Sequence, residues 1–403
     1  QFNLEVGRFE GVQAATADIA AGAYTLEAMR QLVTRGLESG PPSVLTAMAK
    51  YHATELMRHV VNQAMDVVSG RAIQLGPRNF LASIYRSLPV AITVEGANIL
   101  TRSLMIFGQG ALRCHPYLLE EMEALQQEDE WEGLAAFEPL LMRHLGHTAS
   151  NAARMVVFGA TRGHFSPVPR EASDFSRRWY QRLNHLSAAL ATCADAALAL
   201  LGGDLKRREL LSARLGDVHS QLFIACSILK YHGTAPRSAA ADAHAAFALR
   251  QTLHAAQQAL LAFCSNLEPR WLGVLLRIAC FPLGRAYAPP DDDAVRALGG
   301  MIMEPNPVRK GLSEFVWLSD APDDAVGRLE TTYQMLLTVD KAWQAFASAR
   351  SKGEIDGDDL DVALRQAAQK GIIGEPDIEA LRQYDARRFD CLLTDDFETL
   401  QPG

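Results

Sequence analysis

No stretch of these 403 residues alternates polar and apolar side chains for long, and β-branched runs are short, which argues against a sheet-based fold. None of the six cysteines (Cys114, Cys193, Cys226, Cys264, Cys280 and Cys391) forms a CxxC pair. Most lie in apolar helical stretches such as 223–226, so buried free thiols in a reducing compartment are the simplest expectation. Basic charge is in deficit: 39 Lys and Arg stand against 47 Asp and Glu, a net charge of −8. That balance argues against a broad nucleic-acid surface and leaves room only for a local basic groove. No apolar run approaches the roughly 20 residues that span a bilayer. The nearest, 188–201, is broken by Asp195 and ends at Gly202-Gly203. A fixed-period repeat is also missing. Neither a methionine nor a signal-like segment opens the chain, which starts Gln1-Phe2-Asn3 and reads as a portion of something longer.

What is present is the composition of a folded protein, 48% hydrophobic and 21% charged, which excludes a disordered or fibrous chain. The length suggests two or three domains, or one large helical array. Helical periodicity fills most of it. Residues 10–37 carry Val12, Ile19, Leu26, Met29 and Val33 at helical spacing, and 43–68 carry Leu45, Met48, Leu56, Val60 and Val67, with Ser43 as N-cap and Gly70 as stop. Residues 70–93 are less regular, with Gly76-Pro77 and Leu88-Pro89 as breakers. A helix over 95–113 has an apolar stripe wide enough to predict burial on most sides. An acidic stretch over 118–136 predicts a solvated connector or exposed helix. Helices follow over about 136–160, 173–201, 204–231 and 239–266, with Asp174 and Asp204 as caps, then shorter ones near 270–281, 323–349, 357–371 and 376–385. The expectation is an all-α protein, a helical unit over 1–117 followed by a larger helical domain over 118–403.

The segment with most chemistry in it is 88–102, Leu-Pro-Val-Ala-Ile-Thr-Val-Glu-Gly-Ala-Asn-Ile-Leu-Thr-Arg. One carboxylate, Glu95, stands in apolar surroundings beside Gly96, at the mouth of a helix. Apolar burial raises a carboxylate toward the range of a general base, whereas a helix N-terminus favours the anion. Gly96 lets the backbone approach a ligand closely. The residues alone therefore leave two readings open, a catalytic base and a first-turn glutamate that complements the helix dipole.

The block resembles the catalytic-base motif of the acyl-CoA dehydrogenases, in which Glu-Gly-Thr opens the last helix of a C-terminal bundle and an arginine follows seven positions later. Glu95, Gly96 and Arg102 match, Ala97 replaces the threonine, and Arg86 matches a second arginine. Asp66-Val67-Val68-Ser69-Gly70-Arg71-Ala72 falls where the family has Gln-Ile-Leu-Gly-Gly-x-Gly, a turn on the flavin nucleotide of a neighbouring subunit; Gly70 is kept, and Ser69 and Ala72 depart from it. Gln1-Phe2-Asn3 resembles the Arg-x-x-Phe-Gly stretch, and Phe9-Glu10 falls at its His/Phe-Gln pair. The blocks 46–52, 92–102 and 105–117 are similar to the large bacterial FadE-type enzymes, as are 205–218, 280–285 and 327–330 to their C-terminal helical extension.

What the resemblance implies is a four-helix-bundle portion of an FAD-dependent enzyme that converts fatty acyl-CoA to trans-2-enoyl-CoA in fatty-acid β-oxidation. Glu95 would remove the α-proton while the β-hydride passes to flavin N5. Glu95 and Gly96 would meet the substrate. Gln1, Phe9, Glu10, Asp66, Gly70, Ala97, Asn98, Ile99 and Leu100 take positions that contact FAD. An electron-transfer flavoprotein partner, a homo-oligomer and a bacterial cytoplasmic location follow, the last with inner-membrane association as an option. The family's N-terminal and middle domains have no counterpart in these residues, so the chain would supply one wall of the site. The rival reading is a non-catalytic scaffold subunit that retains the bundle, which the departures at Ser69, Ala72 and Ala97 favour and the intact Glu95 and Arg102 oppose.

The weaker signals point to structure. His144 and His147 lie three apart on one helix face, but no carboxylate or cysteine completes a metal set, so ordinary helix histidines and no metal are expected. His52 and His59 read as polar spacers. Asp356, Asp358, Asp359 and Asp361 depart from a calcium loop and read as a cap with solvated charge. The Lys206-Arg207-Arg208 run reads as a solvated face. Residues 270–285 interleave Trp271, Leu272, Val274, Leu275, Leu276, Ile278 and Phe281 with Arg270, Arg277 and Arg285; a core helix with snorkelling arginines is expected ahead of a membrane-surface helix.

Overall fold

The computed structural model of the chain describes residues 5–38, 40, 43–110, 115–319, 321 and 324–396. No strand occurs among the described residues, in agreement with the all-α expectation. The helices are α1 (Glu10–Leu37), α2 (Ser43–Val68), α3 (Ala82–Thr93), the single turn α4 (Asn98–Leu100) continued by a π-helical stretch Thr101–Gln109, α5 (Leu118–Leu125), α6 (Glu130–Thr161), α7 (Asp174–Leu201), α8 (Glu209–Thr234), α9 (Ala239–Asn266), α10 (Arg270–Cys280), α11 (Asp292–Met301), α12 (Pro307–Leu312), α13 (Ala325–Ser351), α14 (Leu360–Gln369) and α15 (Glu375–Leu392).

Side-chain oxygens start many of them by accepting otherwise orphaned N–H groups. Asp129 accepts from Trp131 and Glu132, Ser238 from Ala241, Asp291 from Ala294, and Asp359 from Val362. Two expected caps move. Ser173, not Asp174, caps α7 through Ser176 N–H. Asp204 lies inside the 3₁₀ turn Gly202–Lys206, and α8 starts only at Glu209. The expected stop at Gly70 moves as well: the left-handed residue after α2 is Ser69, with φ 67°. Pro89 does not break α3 but lies within it. Its missing N–H takes a helical donor from the Tyr85 carbonyl, and both residues lie on an exposed side of the helix. The helix is started by Asn79, whose Oδ1 accepts from Leu81 and Ala82 N–H at 2.7 and 2.9 Å.

The chain divides into two compact units, one made of Gln1–Ala15, Val61–Ser87 and Ser313–Gly403, the other of Thr16–Val60 and Leu88–Leu312. Each contains residues from both sides of the 117/118 sequence division.

The first unit packs α13, α14 and α15 around Phe346, Leu364, Leu381 and Tyr384. Arg78 and Arg328 converge on Asp390, with Nη1–Oδ1 2.9 Å and Nη2–Oδ2 2.7 Å.

The second unit is built on helical hairpins. α8 packs along α9 and against the π-helical stretch, and α6 packs along α7. The deepest face of α1 is not its Val/Ile/Leu stripe but Ala17, Ala20, Ala21, Tyr24 and Ala28. Small residues let helices approach closely: a Cβ on Gly22 would lie 2.5 Å from Val60 Cγ2. By length and hydropathy the run Asp174–Lys206 would pass for a bilayer span, although no uninterrupted apolar stretch in it approaches about 20 residues. Leu186, Ala189, Cys193 and Ala197 of this run are fully buried in the core of the unit, as in a core helix of a globular protein.

Candidate active site

Helix α3 ends at Thr93, and two consecutive left-handed residues, Glu95 (φ 50°) and Gly96 (φ 98°), turn the chain before α4. Glycine adopts such a backbone freely, whereas for a glutamate it costs about 1–2 kcal/mol. Left-handed non-glycine residues occur at functional turns and also at helix ends, as Ser69 and Arg162 do here. The helix after the turn starts at Asn98, with Ala97 as N-cap and no acidic residue in its first turn. Glu95 is therefore not a first-turn glutamate, and the dipole-complementing reading loses its geometry. The expected helix from residue 95 is shortened for the same reason.

Helix α2 braces this turn. Lys50 Nζ donates to Gly96 O and to Asn98 Oδ1, both at 2.8 Å. Asn98 is buried, and its Nδ2 donates to Thr54 Oγ1 at 2.9 Å and Glu55 Oε1 at 2.7 Å. Thr101 Oγ1 reaches Gly96 O at 3.3 Å, and a Cβ on Gly96 would crowd that same hydroxyl at 3.2 Å. The turn is thus held from below by one ammonium and one carboxamide, and its outer side is open. Glu95 and Ala97 are exposed, as are Val90, Val94, Leu100 and Ile99, the last by 83%. Burial on most sides holds for Thr101, Ser103, Ile106 and Phe107 of the π-helical stretch but fails at Ile99 and Leu100. The Glu95 carboxylate thus stands exposed among exposed apolar side chains on the open side of the turn.

The other residues assigned by resemblance are placed as follows. In the first unit, Phe9 is half-buried at the entry of α1, while Glu10, Asp66 and Gly70 are exposed. Gln1 lies outside the described residues. In the second unit, Ala97, Ile99 and Leu100 are exposed, whereas the Asn98 amide faces inward to α2. Lys50 and Glu55 escaped the motif reading; Lys50 lay in the resembling block 46–52 without a role.

Residues 112–397 match the family model described as acyl-CoA dehydrogenase, C-terminal, bacterial type, and residues 1–107 match that of the acyl-CoA dehydrogenase C-terminal domain. The chain belongs to the acyl-CoA dehydrogenase family. Its fold is similar to that of an acyl-CoA dehydrogenase complexed with FAD from Bacillus anthracis, with a TM-score of 0.57 and 13% identity, over 75% of this chain and 50% of that one. The chain thus spans about half the length of that acyl-CoA dehydrogenase, and at this identity the likeness is one of fold.

The bacterial-type region of the acyl-CoA dehydrogenase match reaches back to the helix behind Glu95. Arg102 Nε and Nη2 donate to the two carboxylate oxygens of Asp217 on α8, at 2.8 and 2.6 Å. This two-pronged pair is the strong form of the interaction and raises the guanidinium pKa above its ordinary value. Burial, then the Arg102 charge, pulls His52 down to about 4, so His52 is neutral near pH 7. Its Nε2 is buried without a hydrogen-bond partner among the described residues.

The same region overturns the plain reading of His144. Helices α5, α6 and α7 bring His144 to Glu121 (Nδ1–Oε1 2.8 Å) and to Asp195 (Nε2–Oδ1 3.7 Å), beside His115. Glu121, in the acidic stretch expected to be solvated, is buried. Asp195 also accepts from Thr148 at 2.6 Å and lies 3.1 Å from His115 Nε2. His115 Nδ1 accepts from Tyr117 and Leu118 N–H, which assigns the ring proton to Nε2 and its hydrogen bond to Asp195. Ligation of a metal through that nitrogen would displace the proton and leave the ring accepting on one side and ligating on the other. The cluster works as a hydrogen-bonded brace of three helices. Asp359 is a helix cap and Asp361 pairs with Arg382 at 2.7 Å.

Proposed function

We propose that this chain supplies the base-bearing wall of an FAD-dependent acyl-CoA dehydrogenase, with residues 1–117 as the bundle portion and 118–403 as the extension. The observation that carries the reading is the Glu95 turn, a strained carboxylate presented to an open apolar face and anchored by Lys50 and Asn98. Glu95 takes the α-proton of a fatty acyl-CoA, and trans-2-enoyl-CoA leaves. That proton is weakly acidic, so the carboxylate must be held at attack distance and dried when substrate and the rest of the enzyme cover it. The exposed Val94, Ile99 and Leu100 provide the apolar half of that enclosure. FAD, when bound, supplies the hydride acceptor. Ala97, Ile99 and Leu100 fit a flavin as an uncovered apolar wall. Fatty-acid β-oxidation, an electron-transfer flavoprotein, homo-oligomerisation and a bacterial cytoplasmic location belong to this proposal. The full-length protein is expected to be yellow and to bleach when a saturated acyl-CoA is added anaerobically. A colourless protein, or a flavin indifferent to acyl-CoA, would support the scaffold reading instead.

A membrane contact belongs to the same proposal, on a specific observation. Helix α10 does not bury its apolar side as a core helix would. Gly273, Leu276 and Cys280 face inward, while Trp271 (67% exposed), Val274, Leu275 and Ile278 form an outward stripe, flanked by exposed Arg270, Arg277 and Arg285. Apolar side chains ringed by arginine are the composition of an interfacial helix on an anionic bilayer. The full-length protein should co-sediment with vesicles rich in phosphatidylglycerol, and Leu275→Glu with Ile278→Glu should weaken this at least about tenfold. Wild-type protein left in the supernatant at low salt would end the membrane contact.

A further inference from the structure

Helix α6 is apolar on two sides. Its inner side buries Leu140, Met155 and Phe158 in the second unit. Its outer side carries Trp131 (80% exposed), Leu134, Leu141, Met142 (64% exposed) and Leu145. At 3.6 residues per turn these five fall within an arc of about 100°, a stripe about 21 Å long. Met122 and Leu125 of α5, which packs along α6, are exposed as well. Single apolar side chains on a surface need no explanation, but a contiguous apolar stripe rimmed by polar groups marks an interaction surface.

The rim here is of one sign. Between His115 and Arg143 the sequence holds eight carboxylates and no lysine or arginine. Two are used within the fold: Glu121 reaches His144, and Asp129 caps α6. Glu120, Glu123, Glu128, Glu130, Glu132 and Glu138 are exposed and have no ion pair among the described residues. Glu130 and Glu132 complement the N-terminus of α6, whose influence ends within the first turn. Glu138 lies beyond that reach and within the arc of the stripe, so the helix itself has no use for its charge.

This combination selects a partner. An anionic bilayer, which suits the arginines of α10, is repelled by these carboxylates. The same face of a second copy would set like charges against each other. A basic amphipathic helix meets both demands, with apolar anchors on the stripe and lysines or arginines on the carboxylates. Exposed methionines such as Met122 and Met142 adapt to anchors of varied shape. We infer that the outer face of α6 is a docking surface for a basic amphipathic helix of a partner protein. The surface uses no residue of the Glu95 turn, so its outcome is read separately from acyl-CoA turnover.

The test is anisotropy of a labelled Leu/Lys peptide about 18 residues long, patterned as an amphipathic helix and titrated with the full-length protein. Saturable 1:1 binding that weakens as salt rises is expected. A peptide of the same charge with alanine in place of leucine should bind at least tenfold more weakly, and a Leu/Glu peptide should not bind. Leu134→Glu with Met142→Glu should weaken the Leu/Lys peptide at least tenfold, although it adds negative charge, with the melting temperature unchanged. Should that variant misfold, Glu130→Lys with Glu138→Lys should weaken binding at least fivefold. No saturable binding, equal affinity for the alanine peptide, or affinity unchanged in the variants overturns the proposal. So does self-association of the wild type that Leu134→Glu with Met142→Glu abolishes, because a second copy would then be what covers the face.

Discussion

Glu95→Gln in the full-length enzyme is expected to keep its flavin and lose turnover by about 10²–10⁴-fold, the usual contribution of a positioned general base. Glutamine retains the length and hydrogen-bonding shape of the side chain, and it tolerates the left-handed backbone as well as glutamate does. The turn should therefore stay as it is, with Lys50 and Thr101 still donating to Gly96 O. What is removed is one proton acceptor on an apolar rim. The predicted signature is specific: normal flavin absorbance, nearly normal affinity for acyl-CoA, a collapsed kcat, and slow flavin bleaching in a single turnover. Glu95→Asp, a shorter carboxylate, should fall between the two. A Glu95→Gln enzyme within about threefold of wild type would remove Glu95 from the base role and return the scaffold reading to first place.

Period-3.6 patterning made most helices legible from sequence, because each one in this fold buries one face in a helical core. Single-residue geometry was harder to read. Pro89 looked like a breaker, yet α3 absorbs it on an exposed side. Glu95 looked like a first-turn residue because its two left-handed dihedrals leave no mark in composition; only Gly96 hinted at them. Arrangements assembled from distant segments were not legible at all. Arg102 was recognisable, but its partner Asp217 lies 115 residues on. His144 seemed to lack a carboxylate because Glu121 and Asp195 reach it from two other helices. Helix α10 showed its amphipathic pattern plainly, and the pattern could not say that its apolar stripe faces outward.

Lys50→Met should be the most damaging substitution outside Glu95, and it touches no reacting atom. The Lys50 ammonium is half-buried and ties together the two ends of the turn, the Gly96 carbonyl and the Asn98 side chain. Hydrogen bonds from a charged donor contribute about 1.5–3 kcal/mol. Holding Glu95 left-handed costs about 1–2 kcal/mol. The two quantities are comparable, so loss of the ammonium removes about what is needed to keep Glu95 in its unusual conformation. Methionine fills the space of the lysine stem, leaves Asn98 Oδ1 without its donor and leaves Gly96 O with the longer bond from Thr101. Misplacement of a catalytic group by about 1 Å can cost about 10²-fold in rate. The expected result is a kcat reduced about 10–100-fold, with KM changed little and flavin content intact. A purely structural lysine would behave differently, lowering the melting temperature and flavin content and leaving the kcat of the surviving holoenzyme alone. Lys50→Arg should restore part of kcat, since a guanidinium can still donate to Gly96 O but does not match a point charge shared between two oxygens. A Lys50→Met holoenzyme with kcat within twofold of wild type would show that Asn98, Thr101 and the backbone suffice to hold the turn, and that the strain at Glu95 is carried without α2.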